Sequence, residues 1–247
     1  MQHLGFTRSS CQPDHLLLTP DTFVRAPLPG MQRATAIVHV SPAMRARFTQ
    51  YTAEFEVGGE LGATDAQRFV YVIEGSVRVE VQAKKSELGP RGYAFLPQGA
   101  THKVVGGGKT RAAVIEKTYQ ALEGVKAPAA IVSSEDAVAS IALGGDEDLQ
   151  VKCLLPDVPA LDCAVNTMVY QPGAGLSMVE MHVMEHGLLM LEGGGVYRLG
   201  DSWYPVTAGD FIWMGPWCPQ WFGAIGKTPA KYLIYKDWNR HPLSAAR

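Results

Sequence analysis

RFVYVIEGSVRVEV, residues 68–81, and HGLLMLEGGGVYRL, residues 186–199, repeat one pattern within this chain. In each stretch a short apolar run is followed by glycine and then by a second run rich in apolar residues, which is typical of two strands joined by a turn. Gly75 and Gly193 hold matching places 118 positions apart. A fixed offset of this kind indicates a duplicated unit, so the sequence predicts two copies of one β structure in tandem.

The repeat continues in a second segment, which is RGYAFLPQGATHKV in residues 91–104 and AGDFIWMGPWCPQWF in residues 208–222. Here His102 of the first copy corresponds to Gln220 of the second. Short apolar runs alternate with turns throughout the chain, which has 26 glycines and 16 prolines to form them, whereas long helical periodicity is scarce. The pattern predicts an all-β protein of the sandwich or barrel class.

The composition is that of an ordinary globular protein. The 247 residues are 47% hydrophobic and 19% charged, with a formal net charge of -2. This length allows two domains, which we place at residues 1–125 and 126–247. A near-neutral charge without a basic run gives no support for a nucleic-acid surface. No window approaches the roughly 20 apolar residues that span a bilayer, so no membrane partner is expected.

The N-terminal residues lack the charged start and apolar core of a secretory signal, which predicts a cytoplasmic protein. Four cysteines, at positions 11, 153, 163 and 218, show no C-x-x-C spacing. They are therefore expected to remain reduced and to form no cysteine zinc site.

Glu180, His182 and His186 interrupt the otherwise apolar stretch VEMHVMEHGLLMLEGGG of residues 179–195. Because burying an unpaired polar side chain costs about 2–7 kcal/mol, these three either face solvent or bind something. In a strand Glu180 and His182 share one face, and a short turn could bring His186 back beside them. A helix would align the two histidines but separate Glu180 from them. With Gln220 further along the chain, the set predicts a metal site.

The ligand types indicate which metal. Two imidazoles, one carboxylate and one amide oxygen, with no thiolate, suit Mn²⁺ or Fe²⁺ better than structural Zn²⁺. A single carboxylate leaves such a site positively charged, which favours an anionic, chelating substrate. In the first copy the aligned positions hold Gly62, Thr64 and Arg68, and His102 alone remains. The N-terminal domain is therefore predicted to lack a metal site.

The repeat resembles the cupin family. The second segment of each copy follows the part of the cupin pattern that runs from Gly-Asp to P-x-G-x2-H. The matching residues are Gly92, Pro97, Gly99 and His102 in the first copy. In the second copy they are Gly209, Asp210 and Gln220. The other part of the pattern falls on Glu180, His182, His186 and Gly193. The resemblance implies a bicupin, that is, two tandem β-barrels of the jelly-roll type.

The variant ligand set resembles that of the (S)-ureidoglycine aminohydrolases of allantoin breakdown, a part of purine catabolism. The same resemblance extends to LLTPDTFV near the start, to EHGLLMLEGGGVY and to YLIYKDWNR near the end. It implies Mn²⁺-dependent release of ammonia from ureidoglycine to give ureidoglycolate. On this basis Glu180, His182, His186 and Gln220 are the expected metal ligands.

The strand pattern and the family resemblance lead to different interpretations of Lys236. KYLIYKDW predicts a strand with Tyr232, Ile234 and Lys236 on one face, but the pattern does not say which face is internal, and a lone lysine usually lies on the surface. The resemblance places Tyr232 and Lys236 in the substrate site, where the lysine would pair with a carboxylate. The resulting expectation is that Glu180 and Lys236 are catalytic and that the substrate contacts Glu180, Gln220, Tyr232, Lys236 and Tyr197.

Two other functions remain open at this point. An Fe²⁺-dependent cupin dioxygenase would need two adjacent free coordination positions, which such a site permits. A non-catalytic, ligand-binding bicupin would tolerate loss of the ligands from both copies, whereas only one copy has lost them. In each case the partner is a small molecule. A Trp-rich protein of two barrels is also expected to form a closed homo-oligomer.

Overall fold

A computed structural model describes residues 5–240, and it consists almost entirely of β-strands. Within that range the helical segments are three short 3-10 turns, Pro20–Thr22, Pro42–Met44 and Glu135–Ala137. None of the helices in the described range is long and apolar enough to cross a membrane. The all-β prediction is confirmed.

The strands of the described range are short and regularly spaced along the chain. In order they are β1 (Ser10–Cys11), β2 (His15–Leu18), β3 (Gln32–Val40), β4 (Thr49–Glu60), β5 (Gln67–Glu74), β6 (Val77–Val81), β7 (Lys84–Leu88), β8 (Gly92–Leu96), β9 (His102–Gly106), β10 (Thr110–Lys117), β11 (Ile131–Ser134), β12 (Ile141–Leu143), β13 (Asp146–Cys153), β14 (Cys163–Tyr170), β15 (His186–Glu192), β16 (Gly194–Leu199), β17 (Ser202–Thr207), β18 (Phe211–Met214), β19 (Gln220–Ala224) and β20 (Ala230–Asp237).

The chain divides into two compact units. The N-terminal unit comprises Val24–Val138 and Val158–Asp162, and the C-terminal unit comprises the segment that ends at Phe23, Ala139–Asp157 and the segment that begins at Cys163. These bounds differ from the predicted ranges 1–125 and 126–247 in two ways. The main boundary lies further along the chain, and each unit includes a short segment from the sequence range predicted for the other.

Specific contacts explain both exchanged segments. Strand β2 pairs antiparallel with β18, so that Leu17 lies opposite Ile212 in the C-terminal unit. Asp162 is buried in the N-terminal unit, where its carboxylate accepts a hydrogen bond from Gln67 Nε2 (2.6 Å) and pairs with the ammonium group of Lys117. Such contacts join residues far apart in sequence and leave no local periodic signal.

Each unit wraps its sheet around an apolar core. The N-terminal sheet has the strand order β11-β8-β5-β10-β4-β9-β6-β7, with β3 paired to β4. The C-terminal unit combines a sheet of order β1-β2-β18-β15-β20-β14-β13-β12 with a three-stranded sheet, β17-β16-β19. The alternating residues of each strand supply the core, as period-2 patterning requires.

The repeated glycine predicted from the sequence forms a turn in both units. Gly75 has φ +78° and Gly193 has φ +64°, a left-handed backbone that other residues adopt only with strain. A Cβ atom would lie 2.5 Å from Thr110 Oγ1 in the first case and 2.4 Å from the Pro229 carbonyl oxygen in the second. Close backbone approach and positive φ together explain why the two copies share this residue.

Inside the N-terminal unit, an ion pair between the buried Arg68 and the partly buried Glu116 lies next to His102. Arg68 donates from Nε to Glu116 Oε1 (2.8 Å) and from one terminal nitrogen to the Gly62 carbonyl oxygen (2.8 Å). Its other terminal nitrogen lies 3.0 Å from His102 Nε2, while His102 Nδ1 donates to the Ala100 carbonyl oxygen (2.7 Å). Burial lowers the pKa of His102. The Arg68 guanidinium thus lies beside His102, the one possible metal ligand at the aligned positions of the first copy.

Replacing Arg68 should destabilise the protein, because it leaves the Glu116 carboxylate without its principal cation. We expect Arg68→Leu to lower the free energy of unfolding by about 3 kcal/mol, measured by urea denaturation. The double variant Arg68→Leu/Glu116→Leu should recover much of that loss. Arg78→Leu, which removes an exposed pair with Glu80, is the matched control and should change stability by less than about 0.5 kcal/mol. Equal stability of the Arg68 and Arg78 variants would contradict this account.

Candidate metal and active site

Three neighbouring strands of the C-terminal unit, β14, β15 and β20, contribute to the wall of a cavity of about 220 Å³. Residues directly opposed in antiparallel strands project from the same face of the sheet. Lys236 on β20 lies opposite His186 on one side and Ala164 on the other. In the next row on this face Ile234 lies opposite Asn166. The face that carries Tyr232, Ile234 and Lys236 therefore lines the cavity, which the sequence pattern could not decide.

Glu180 reaches the cavity from the segment between β14 and β15. It forms an isolated antiparallel bridge with Gln220, in which the Glu180 N–H donates to the Gln220 carbonyl (2.8 Å) and the Gln220 N–H donates to the Glu180 carbonyl (2.9 Å). His182 follows in irregular backbone, and His186 is the first residue of β15. The helical alternative is therefore wrong. The predicted strand is present only as this single bridge, followed by the expected return to His186.

The four predicted ligands converge on one atom, His182 Nε2. Gln220 Nε2 lies 2.8 Å from it, His186 Nε2 3.3 Å and Glu180 Oε2 3.9 Å. The two imidazole rings meet edge to face, with centroids 4.9 Å apart. Two histidines that aim ring nitrogens at the same point, with a carboxylate and an amide around them, form a constellation suited to binding a cation.

Hydrogen bonding and burial select the form of His186 that can act as a ligand. Its Nδ1 lies 3.3 Å from the Tyr235 carbonyl oxygen, so Nδ1–H donates there and the lone pair of Nε2 faces His182. Burial lowers the pKa of His186 to about 3, and the charges of His182 and Lys236 act in the same direction. A neutral imidazole whose second nitrogen donates to a carbonyl is the usual state of a metal-binding histidine.

A divalent cation fits these residues. The atoms that would face the ion are His182 Nε2 and His186 Nε2, which lie 3.3 Å apart, and Glu180 Oε2, which lies 3.9 Å from the first. Rotation of the Gln220 amide exchanges its nitrogen for its oxygen, so this position can offer a carbonyl ligand. Two imidazole nitrogens, one carboxylate and one amide oxygen suit Mn²⁺ or Fe²⁺, because thiolate is absent.

A second group of metal-ligating side chains lies elsewhere in the C-terminal unit. Asp14, His15 and Cys218 offer ligand atoms within 4.8 Å of one another. Both ring nitrogens of His15 are already engaged, Nδ1 with Asp14 Oδ1 (2.9 Å) and Nε2 with the Tyr204 hydroxyl (2.9 Å). Burial and the Asp14 carboxylate raise the pKa of the Cys218 thiol to about 12, which opposes the thiolate form that binds metals. Hydrogen bonding accounts for this group without an ion.

Lys236 lies in the cavity wall against an aromatic ring. Its Nζ is 4.4 Å from the centroid of Trp238, whose indole N–H donates to Asp157 Oδ1 (2.6 Å). Burial lowers the pKa of Lys236, and the charges of Cys153, Glu180 and Asp157 oppose that shift. A cation held over an indole face keeps its charge while losing water. The sequence analysis did not identify Trp238, because nothing in its spacing distinguishes it from a surface residue.

Tyr232 and Tyr197, two of the five predicted substrate contacts, also line the cavity. The Tyr232 hydroxyl lies 2.7 Å from that of Tyr170, which is buried behind it. Burial raises the pKa of both Tyr232 and Tyr197 well above the ordinary value, so both phenols stay neutral. Asn166 is a further wall residue that the sequence analysis missed, since it lies within the mainly apolar strand β14.

The N-terminal unit has the same strand arrangement with different charges. There Arg68 on β5 lies opposite Glu116 on β10, the places that His186 and Lys236 hold in the C-terminal unit. Arg68 is a cation at the position of a metal ligand, and Glu116 is an anion directly opposite it on the neighbouring strand. The two charges satisfy each other directly. This internal pairing gives a physical reason for the missing ligands of the first copy.

Comparisons with known families agree with the duplicated architecture. A cupin domain model matches residues 166–235, and an EutQ-like cupin domain model matches residues 43–119. The solved structure of the protein Ylba from Escherichia coli superimposes with a TM-score of 0.85 and is 27% identical, over 95% of this chain and 96% of that one.

Two curated relatives cover nearly the whole chain. The (S)-ureidoglycine aminohydrolase of Arabidopsis thaliana is 40% identical over 97% of this chain and 80% of its own length. The (S)-ureidoglycine aminohydrolase of Escherichia coli strain K12 is 30% identical over 91% of this chain and 88% of its own length.

Proposed function

The chain belongs to the family of the (S)-ureidoglycine aminohydrolases, and we propose that it releases ammonia from (S)-ureidoglycine at the cavity of its C-terminal unit. The reaction breaks a C–N bond, adds water and gives (S)-ureidoglycolate, a step of allantoin degradation. The convergence of Glu180, His186 and Gln220 on His182 Nε2 is the observation that carries the location of this site.

We assign the metal to the four converging residues, Glu180, His182, His186 and Gln220, and propose Mn²⁺ as the ion. When bound, it supplies a Lewis acid that holds and polarises an anionic substrate. With one carboxylate among its ligands the site keeps a net positive charge, which suits a substrate that carries a carboxylate. The cupin barrel and the neutral state of His186 support this assignment.

Lys236 provides the charge that binds the substrate carboxylate. Its ammonium group lies in the cavity wall on the same face as His186, and its partial burial strengthens a charge-assisted hydrogen bond. Tyr232, held by the Tyr170 hydroxyl at 2.7 Å, and Tyr197 complete the wall on that side. These contacts would orient the single carbon that carries the amine, ureido and carboxylate groups.

We assign to Glu180 the proton transfer that the reaction requires. Loss of ammonia needs a proton on the departing nitrogen, and addition of water releases one. A carboxylate next to the reacting carbon can accept the proton that water releases and can donate a proton to the departing nitrogen. No net proton is then consumed. The Glu180 side chain lines the cavity and is 41% exposed, so water can reach it.

The relatives favour the aminohydrolase over the other two functions left open by the sequence, a dioxygenase and a non-catalytic binding protein. We further propose that the enzyme works in the cytoplasm, since the exposed Cys11 and Cys153 are free thiols, as in a reducing compartment. Homo-oligomer formation is proposed as well. The C-terminal unit exposes large apolar side chains that a self-association surface would cover, including Met178, Met181, Trp203 and Trp217.

The location of the metal can be tested by measuring the metal content of three histidine variants. Wild-type protein should bind one Mn²⁺ per chain, and His182→Ala should lose both the ion and ammonia release. His15→Ala removes the imidazole of the other candidate group and should keep the ion, as should His102→Ala in the N-terminal unit. Full metal content in the folded His182 variant, or its loss from the His15 variant, would refute the assignment.

Lys236→Met tests the substrate contact. It removes a charge-assisted hydrogen bond of about 1.5–3 kcal/mol, so kcat/KM for ammonia release from freshly prepared ureidoglycine should fall roughly ten- to hundredfold. Metal content should remain unchanged, because lysine is not among the ligands. Lys227→Met, at an exposed lysine on the loop before β20, serves as the control. A Lys236 variant as active as the Lys227 variant would return this residue to a structural role.

A further inference from the structure

Asn166 lines the cavity and has no part in the mechanism above. Its side chain is 6% exposed, and its Oδ1 is buried without a hydrogen-bond partner among the described residues. Buried amide oxygens are almost always satisfied in proteins, since an unsatisfied one destabilises the fold. An exception in a residue that lines a binding cavity indicates a group that a ligand can satisfy.

The strand register shows where this oxygen lies relative to the other wall residues. Asn166 is opposite Ile234 on β20, one row away from Lys236 and one row away from Tyr232 on the same face. Diagonal neighbours of this kind are within reach of one small molecule. A substrate whose carboxylate meets Lys236 can therefore present a second group to Asn166.

The N-terminal unit supplies an internal comparison. Its Tyr51 lies opposite Val114, as Asn166 lies opposite Ile234, so the two residues hold matching places in the two sheets. The Tyr51 hydroxyl donates to Glu116 Oε1 at 3.0 Å. In the N-terminal unit, where Arg68 and Glu116 pair with each other, the polar group at this position is satisfied by the protein. In the unit with the cavity it is not.

We propose that Asn166 Oδ1 accepts a hydrogen bond from the terminal NH₂ of the substrate's ureido group and so selects ureido compounds; this rests on the proposed function. The carboxylate of ureidoglycine needs a cation, which Lys236 provides, and its reacting amine must lie near Glu180. The remaining group is the neutral ureido, whose NH₂ needs an acceptor. A neutral amide oxygen meets that need without attracting a second charge.

A site built to hydrogen-bond one group rejects an analogue that lacks the group, because its own buried partner is then left unsatisfied. N-carbamoylglycine and N-acetylglycine form a matched pair for this purpose. Both carry the carboxylate and the inner N–H, and they differ only in a terminal NH₂ against a methyl group. Neither has the amine that leaves in the reaction, so binding can be measured without turnover.

The experiment measures the affinity of both compounds for Mn²⁺-loaded wild type and for Asn166→Leu by calorimetry. Wild type should bind N-carbamoylglycine roughly tenfold or more tightly than N-acetylglycine, and the variant should bind the two about equally. Met168→Leu, a volume-conserving change in the same strand and cavity, should keep the wild-type preference. Equal or absent binding of the pair by wild type, or an unchanged preference in Asn166→Leu, would overturn the proposal.

Two further readouts separate this role from others. If Asn166 were a structural residue, Asn166→Leu would lower the thermal midpoint of the ligand-free protein; we expect a midpoint at or above that of wild type, since an unsatisfied group is removed. Ammonia release by wild type from ureidoglycine is measured in parallel. Its absence would disprove the proposed function, whereas activity together with an unchanged ligand preference in the variant would disprove only the role of Asn166.

Discussion

The antiparallel pairing of β15 with β20 is the constraint on which the site depends. It places His186 opposite Lys236, so that the residue we propose as a metal ligand and the residue we propose to bind the substrate carboxylate share one face of one sheet. A shift of one residue in this register would turn one of these two side chains to the opposite face. The apolar rows around them fix the register, because Leu188, Ile234 and Met190 must stay in the core. The chemistry of the cavity is thus set by the same packing that stabilises the barrel.

The two copies of the repeat use this scaffold in opposite ways. In the N-terminal unit a guanidinium and a carboxylate neutralise each other within 2.7 Å, which satisfies both groups and leaves no charge for a ligand. In the C-terminal unit the neutral imidazole of His186 replaces the guanidinium, and Lys236 replaces the carboxylate. The residues opposite Lys236 are His186 and Ala164, neither of which is an anion. In our proposal a metal ion and an anionic substrate therefore supply charges that the N-terminal unit provides from its own side chains.

Much of this could be predicted from the sequence, for identifiable reasons. Alternating apolar residues and the glycine shared by the two copies reflect local rules of strands and turns, so the β units could be recognised. Glu180, His182 and His186 were recognisable because ionisable side chains are rare in an apolar run. Asn166 and Trp238 were not, since their importance comes from neighbours on other strands. The exchange of short segments between the two units likewise depends on contacts such as Leu17 with Ile212, which have no sequence period.

We propose that the metal is held by two imidazoles, a carboxylate and an amide oxygen in the C-terminal unit. X-ray absorption spectroscopy of the Mn²⁺-loaded protein at the metal edge is the decisive measurement, because the fine structure reports the atoms bound to the ion. We expect a shell of nitrogen and oxygen alone, with the outer-shell scattering of two imidazole rings. A sulfur atom in that shell would place the ion at Cys218, beside Asp14 and His15, and would rule out the proposed ligands.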